Sequence, residues 1–190
     1  AIGTVILPSL SGKHAGDDPK AFSRTLDWAL KLVLLIGVPA ALALAVIAEP
    51  LLATLFNHGE FGANDVLRSA ESLRAYSAGL VAFMLIKILA PGYFARQDTR
   101  TPVKIGIIAM VANMALNLAL IWPLQHAGLA LATSLSAWLN AGLLYIGLRR
   151  GGVYRPMKGW WQHGLRLALA GGAMAGAIYW LARQATVWLN

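Results

Sequence analysis

Five long stretches of this chain carry almost no charge, and short polar connectors separate them. The first is unbroken from Leu32 to Ala48 and extends to Phe56 if the segment tilts. The second runs from about Ala75 to Ala95 with Lys87 as its one interruption; the third is Ile105 to Leu124 and the fourth Ala127 to Leu148. The fifth begins near Trp160 and ends near Ala182, with Arg166 close to its start. A helix crossing a hydrocarbon core of about 30 Å needs roughly 20 residues at about 1.5 Å each. Backbone groups in lipid must pair within their own segment, so such spans are helices. Barrel strands would alternate over about ten residues, and no such alternation occurs. The expected fold is all-α: a polytopic transmembrane helical bundle in a single membrane domain, with spans at about 29–52, 75–95, 103–124, 127–148 and 160–182. The apolar run Ala1 to Leu10 reads as the tail of a further helix, so the chain is expected to be a fragment.

Composition agrees. Of 190 residues, 58% are hydrophobic and 13% charged, about half the charged share of a soluble domain. That leaves too little polar surface to coat a water-soluble globule. Cysteine is absent, which excludes disulfides and thiolate metal sites. In a soluble protein a net charge of +8 would suggest nucleic acid; here the basic residues sit in short loops, and no nucleic-acid partner is expected.

Those loops orient the chain. One side holds Lys13, Lys20 and Arg24, then Arg96, Arg100 and Lys104, then Arg149, Arg150, Arg155 and Lys158; the other holds only Arg68, Arg74 and Arg183. Cytoplasmic loops carry the Lys/Arg excess, so the first side is expected to face the cytoplasm. Trp28, Trp160 and Trp161 would mark the inner interface, Trp122 and Trp180 the outer one. Thr101 followed by Pro102 reads as an N-cap with proline at the first helical position. Pro123 is expected to close the third span, and Pro39 to kink the first by removing a backbone hydrogen bond.

The segment Pro91-Gly92-Tyr93-Phe94-Ala95-Arg96-Gln97-Asp98-Thr99-Arg100-Thr101-Pro102-Val103-Lys104 resembles a signature of the MurJ (MviN) family of lipid II flippases. In that signature an aromatic-rich helix end runs into a short Asp-Thr-basic-Thr-Pro turn. Thr4 to Ser11, Leu55 to Phe61 and Leu124 to Leu129 are similar to the family as well, in the family's order. The resemblance implies a fourteen-helix, two-lobed fold of the multidrug and oligosaccharidyl-lipid exporter superfamily, similar to multidrug exporters. This chain would supply the end of helix 8 and helices 9 to 13. It also implies that lipid II, an undecaprenyl pyrophosphate bearing a disaccharide-pentapeptide, crosses a central cavity by alternating access. The partners implied are lipid II, membrane lipids and the remaining helices of the full-length protein.

Against that background several residues invite a role. Lys87 is a cation inside a span, where it costs about 3 kcal/mol to insert. It either faces the cavity and attracts the substrate's pyrophosphate or snorkels to the interface. Asn113 and Asn117 share a helix face, with Thr133 and Asn140 on the next span. They are read as cavity residues, and Asn113, Asn117 and Thr133 as a site for a small cation such as sodium, since amide and hydroxyl oxygens are hard ligands. Interhelical hydrogen bonding is the plainer reading. The resemblance implies that some relatives couple flipping to a cation with an acidic residue at this place, where Asn117 is neutral. No cofactor is expected beyond coupling to sodium or the membrane potential. Arg24, Lys31, Arg96, Asp98, Arg100, Thr101, Pro102 and Lys104 fall at the cytoplasmic mouth and family loop. There they either steer an anionic headgroup or simply obey the charge rule. Gly172 and Gly176, with Ala168 a turn earlier, suggest a close helix contact, on a helix that the resemblance places beside a lipid-tail groove. Trp138 reads as packing.

Catalytic motifs are absent. His14, His58, His126 and His163 are isolated, with no ligand partner at i+3 or i+4, so the protein is expected to transport rather than catalyse. A different exporter of the same superfamily, for O-antigen lipid or organic cations, is the alternative, and the Asp98 to Pro102 turn argues against it. A membrane transferase would need converging carboxylates, which Asp17, Asp18, Asp27 and Asp98 do not obviously supply.

Overall fold

The computed structural model of the protein describes residues 19–56, 62–157 and 159–188. Its helices are α1 (Pro19–Phe56), α2 (Ala63–Phe94), α3 (Arg100–Arg150) and α4 (Trp160–Trp188). All four are long and apolar enough to cross a membrane. The span expected at residues 1–10 lies outside the described residues, as do Thr4 to Ser11, most of the Leu55 to Phe61 match, His14, Asp17, Asp18, His58 and Lys158.

Helix α3 has 51 residues, which at 1.5 Å each would reach about 76 Å, far beyond any bilayer. It therefore folds back. The break is at Gln125, whose backbone (φ 48°, ψ −124°) is not helical, and it divides α3 into an outgoing arm, 100–124, and a returning arm, 126–150. Pro123 stands two residues before the break, where the ladder is already ending. Gly128 makes the turn possible: a Cβ there would collide with the Leu120 carbonyl oxygen. Among the described residues the bundle thus has five antiparallel segments: α1, α2, the two arms of α3, and α4.

The helices reach further than hydropathy alone indicates. Helix α1 begins at Pro19 and continues through both Pro39 and Pro50 to Phe56. Helix α2 starts at Ala63, so residues 63–74, expected in the connector before the second span, are helical. Its start is capped by Asp65, whose carboxylate accepts the Gly62 N–H at 3.1 Å. The polar turns that follow, with Arg68, Glu71 and Arg74, are good helix formers that a hydropathy threshold discards.

Packing is densest at one end. Phe22, Leu26, Leu30 and Val33 of α1 meet Ile88, Leu89 and Tyr93 of α2 and Ile105, Leu144 and Leu148 of α3. The same end carries Lys20, Arg24, Arg96, Arg100, Lys104, Arg149, Arg150 and Arg155; the side chain of Ser23 reaches Arg155, and Gly151 approaches Arg96. The opposite end holds the Arg74–Glu49 ion pair at 3.1 Å. Two close approaches set the helix spacing: Gly79 of α2 against Ser134 of α3, and Gly147 of α3 against the Tyr93 hydroxyl. The Ser134 hydroxyl donates to the Ala75 carbonyl at 2.6 Å, and the Trp138 indole N–H to that of Ala78 at 2.9 Å. Trp138 is therefore a helix clamp rather than simple filler.

Helix α4 leans on α1, where Gly171 faces Leu42. Among the described residues the close contact expected of Gly172 and Gly176 is not made; a Cβ at either would meet open space. One residue is about 100° around a helix, so the stripe that includes residue 171 takes the packed face and 172 and 176 point away. Much of the remaining surface is apolar, with Leu118 73% and Trp122 87% exposed. A bilayer, or further helices, must cover it.

Candidate functional site

Between α2 and the two arms of α3 lies a cleft of about 270 Å³, lined by Phe83, Gly106, Asn113, Thr133, Ser136 and Asn140 among others. The hairpin at Gln125 creates it, by laying the outgoing arm's Asn113 beside the returning arm's Ser136. A chain of hydrogen bonds runs along its wall. The Ser136 hydroxyl donates to the Thr133 carbonyl at 2.9 Å, which leaves its oxygen to accept from Asn113 Nδ2 at 3.1 Å. That choice turns the Asn113 carbonyl oxygen toward Asn117, whose Nδ2 donates to it at 3.0 Å. The Asn117 Oδ1 ends the chain, buried and without a hydrogen-bond partner among the described residues. The Thr133 hydroxyl is committed to the Leu129 carbonyl at 2.9 Å.

Sequence reasoning paired Asn113 with Asn117 and placed Thr133 and Asn140 opposite, and the structure brings these four to one region. Ser136, the link between the arms, was missed; its spacing of three from Thr133 put it on the same face and was the available signal. All donors present are neutral oxygens, suited to a hard cation such as sodium and to no softer metal. Among the described residues no group of His, Asp or Glu is arranged to hold a metal. Lys87 stands apart: it is exposed, one turn beyond Phe83, and does not line the cleft.

The family loop folds into a tight turn. The Asp98 N–H bonds the Tyr93 carbonyl at 3.2 Å, and Gln97 takes a left-handed conformation (φ 58°). Helix α3 starts at Arg100, with Thr99 in the cap position, so Thr101 is not the N-cap. Instead the Asp98 carboxylate accepts the Thr101 N–H at 3.0 Å, as expected of aspartate, a better cap than threonine. The Thr101 hydroxyl and its backbone N–H together hold the Asp98 carboxyl below its ordinary range. Pro102 follows within the first turn; Arg96, Arg100 and Lys104 are exposed around it.

A second polar assembly lies where α1, the 151–159 connector and α4 meet. Asp27 is 1% exposed, yet four donors converge on it. Lys31 Nζ lies at 2.7 Å, the Tyr154 hydroxyl at 2.7 Å and the Trp160 indole N–H at 2.8 Å, with the Met157 N–H at 3.2 Å. Burial, and then the Asp27 carboxylate, hold the Tyr154 phenol well above its ordinary range, so it remains a donor. Lys31 also sits 5.5 Å over the Trp160 ring, and His163 Nε2 lies 3.2 Å from the Lys31 carbonyl. Trp160, expected as an interfacial anchor, is thus turned inward; Trp28 and Trp161 remain exposed. The sequence signal for Asp27 was an acid–base pair at i, i+4 at the mouth of a span, where an ionised group must be partnered.

Antiparallel apolar helices wrapped around a small polar cleft, with one strongly basic end, define a multi-pass membrane protein. Residues 1–189 match the family model described as "Lipid II flippase MurJ", and the chain belongs to that family. It is 50% identical over 190 residues to the "Probable lipid II flippase MurJ" of Vibrio cholerae, covering 100% of this chain and 36% of that protein. A protein of the same name in Haemophilus influenzae is 50% identical, with 99% and 38% covered. The "Lipid II flippase MurJ" of Burkholderia cenocepacia is 44% identical, with 96% and 35% covered. Among solved structures, "Lipid II flippase MurJ, inward closed conformation" superposes with a TM-score of 0.79 at 25% identity, covering 95% of this chain and 36% of that one. The chain therefore spans little more than a third of its relatives' length.

Proposed function

We propose that the whole protein to which this chain belongs is a lipid II flippase of the bacterial inner membrane. It would carry the undecaprenyl-pyrophosphate-linked precursor from the cytoplasmic to the periplasmic leaflet by alternating access. What supports this reading is family membership along essentially the entire chain, together with a matching fold. The basic end would then face the cytoplasm, because Lys and Arg are retained on that side.

In this reading the present helices form part of the second lobe, and the other lobe supplies the rest of the path. Lys87, exposed beyond the cleft, would attract the pyrophosphate, while the amide cleft would hold a small cation whose binding favours one conformation of the lobe. Asn113, Asn117 and Thr133 would supply its oxygens and Asn140 the opposite wall. A neutral site binds such an ion more weakly than one with a carboxylate.

Depletion of the full-length protein tests the assignment. Lipid II should accumulate in the inner leaflet and cells should lyse; normal wall synthesis on depletion would refute it. Normal growth supported by a full-length Lys87→Ala protein would remove Lys87 from the mechanism.

A further inference from the structure

The amide cleft is not the same along its length. Helix α2 and the returning arm of α3 run side by side in one direction: Ala75 meets Ser134, Ala78 meets Trp138, and Tyr93, near the basic end, meets Leu144. Asn140 therefore stands level with Phe83, nearer the basic end than Thr133 and Ser136. Asn113, Ser136 and Thr133 spend their polar groups on one another or on backbone carbonyls. The Asn140 amide takes part in no hydrogen bond among the described residues and lines the cleft.

Phe83 lines the same part of the cleft and is 38% exposed. Gly106 of the outgoing arm adds no side chain to that lining, and a Cβ there would meet open space. Lys87 follows Phe83 on one face of α2, about 6 Å further along the axis. It is exposed and, among the described residues, forms no ion pair.

The ligand must match a flat apolar ring, an empty shelf, a free amide that can both donate and accept, and a cation one turn away. No charged side chain lines the cleft among the described residues, so beside Phe83 an acid or a base would find no counter-charge. A purely apolar group would leave the Asn140 amide unmatched. A pyranose meets both demands, because its C–H face lies flat on an aromatic ring while its rim carries hydroxyl or amide groups. Bonded through its anomeric oxygen to a phosphate, it sets sugar and anion about 5–6 Å apart, the spacing of neighbours at i and i+4 on a helix.

We propose that Phe83 and Asn140 form a glycosyl subsite: the Phe83 ring carries the sugar joined to the phosphate that Lys87 holds, and the Asn140 amide binds that sugar's polar rim. The inference rests on the flippase reading, which supplies a lipid-linked sugar pyrophosphate. It adds residues that read the sugar rather than the carrier.

The test uses the purified full-length protein in detergent, with bound lipid counted by native mass spectrometry. Two probes are titrated: undecaprenyl pyrophosphate, and the same carrier bearing the disaccharide-pentapeptide. The parent should bind the glycosylated carrier at least tenfold more tightly. Phe83→Leu keeps an apolar side chain without the ring; it should lower that ratio at least threefold and leave the affinity for the bare carrier unchanged. Phe83→Trp should keep the ratio. Asn140→Ala should lower it with or without sodium, and serves where Phe83→Leu is poorly expressed. Lys87→Gln should weaken both probes equally. Phe94→Leu, at an exposed ring beyond Lys87 on the same helix, should change neither. A parent without preference, or a Phe83→Leu protein that loses both probes equally, would overturn the subsite. So would an Asn140→Ala effect that vanishes without sodium, which would assign that amide to the cation. If the parent shows no sugar preference while depletion still accumulates lipid II, the subsite fails and the flippase reading stands. Normal wall synthesis on depletion, with a Phe83-dependent preference intact, would give the reverse.

Discussion

The Tyr93 hydroxyl occupies the space that a side chain at Gly147 would need: a Cβ there would run into the phenolic oxygen. The same hydroxyl donates to the Leu144 carbonyl at 2.8 Å, so it cannot turn aside without losing a buried bond. This contact locks the end of α2 to the returning arm of α3. Gly147→Ala should therefore destabilise the protein by about 1–3 kcal/mol, the usual range for overpacking. Tyr93→Phe removes the oxygen and leaves the ring carbon at 3.4 Å, an ordinary contact. In the double variant the cost of alanine should shrink, a coupling that thermal unfolding of the four proteins would reveal. Strict additivity would refute the contact.

Asp27 holds three parts of the chain together, and its removal should be costly. Asp27→Ala strands Lys31, Tyr154 and Trp160 at a buried junction. The expected loss is about 3 kcal/mol, at the low end for a broken buried pair because Lys31 is partly exposed. Limited proteolysis of the 151–159 connector should accelerate in parallel. Tyr154→Phe should give a smaller change in the same direction, about 1 kcal/mol.

Acidification should loosen the start of α3. The Asp98 carboxyl is held below the ordinary 3.8 by its bonds from Thr101, so the cap is fully present above that ordinary value. It is lost as the pH falls through the lowered one. Hydrogen exchange at the Thr101 amide, corrected for its intrinsic pH dependence, should speed up over that window. Asp98→Asn should flatten the profile.

Asn117→Asp places a carboxylate where a buried amide oxygen now lacks a hydrogen-bond partner among the described residues. If the amide cleft holds a cation, sodium should raise the melting temperature of the Asn117→Asp protein more than that of the parent. Ser136→Ala, which frees Asn113 from the returning arm, should reduce the sodium response in both. A response unchanged by either substitution would remove the cleft as a cation site.

Gly128→Ala should be among the most damaging single-methyl additions, because the obstacle is the Leu120 backbone carbonyl rather than a movable side chain. Loss of folded protein on size-exclusion chromatography is the expected readout.

Hydropathy by itself determined that long helices cross a membrane, how many apolar segments there are and which connectors share a side, because lipid imposes those constraints residue by residue. The spacing of Asn113 and Asn117 was likewise legible, since helix geometry relates residues four apart whatever surrounds them. Only the tertiary structure decided that Ser136 bridges the arms of α3 and that Gly171 rather than Gly172 faces α1. It also decided that Asp27 gathers donors from residues more than 120 positions away. Those pairings depend on the rotation of each helix about its axis and on the backbone turn at Gln125, and neither leaves a periodic trace in the chain. The ends of α1 and α2 were extended for a related reason: a polar helical turn looks like a loop to hydropathy, and only its hydrogen bonds reveal it.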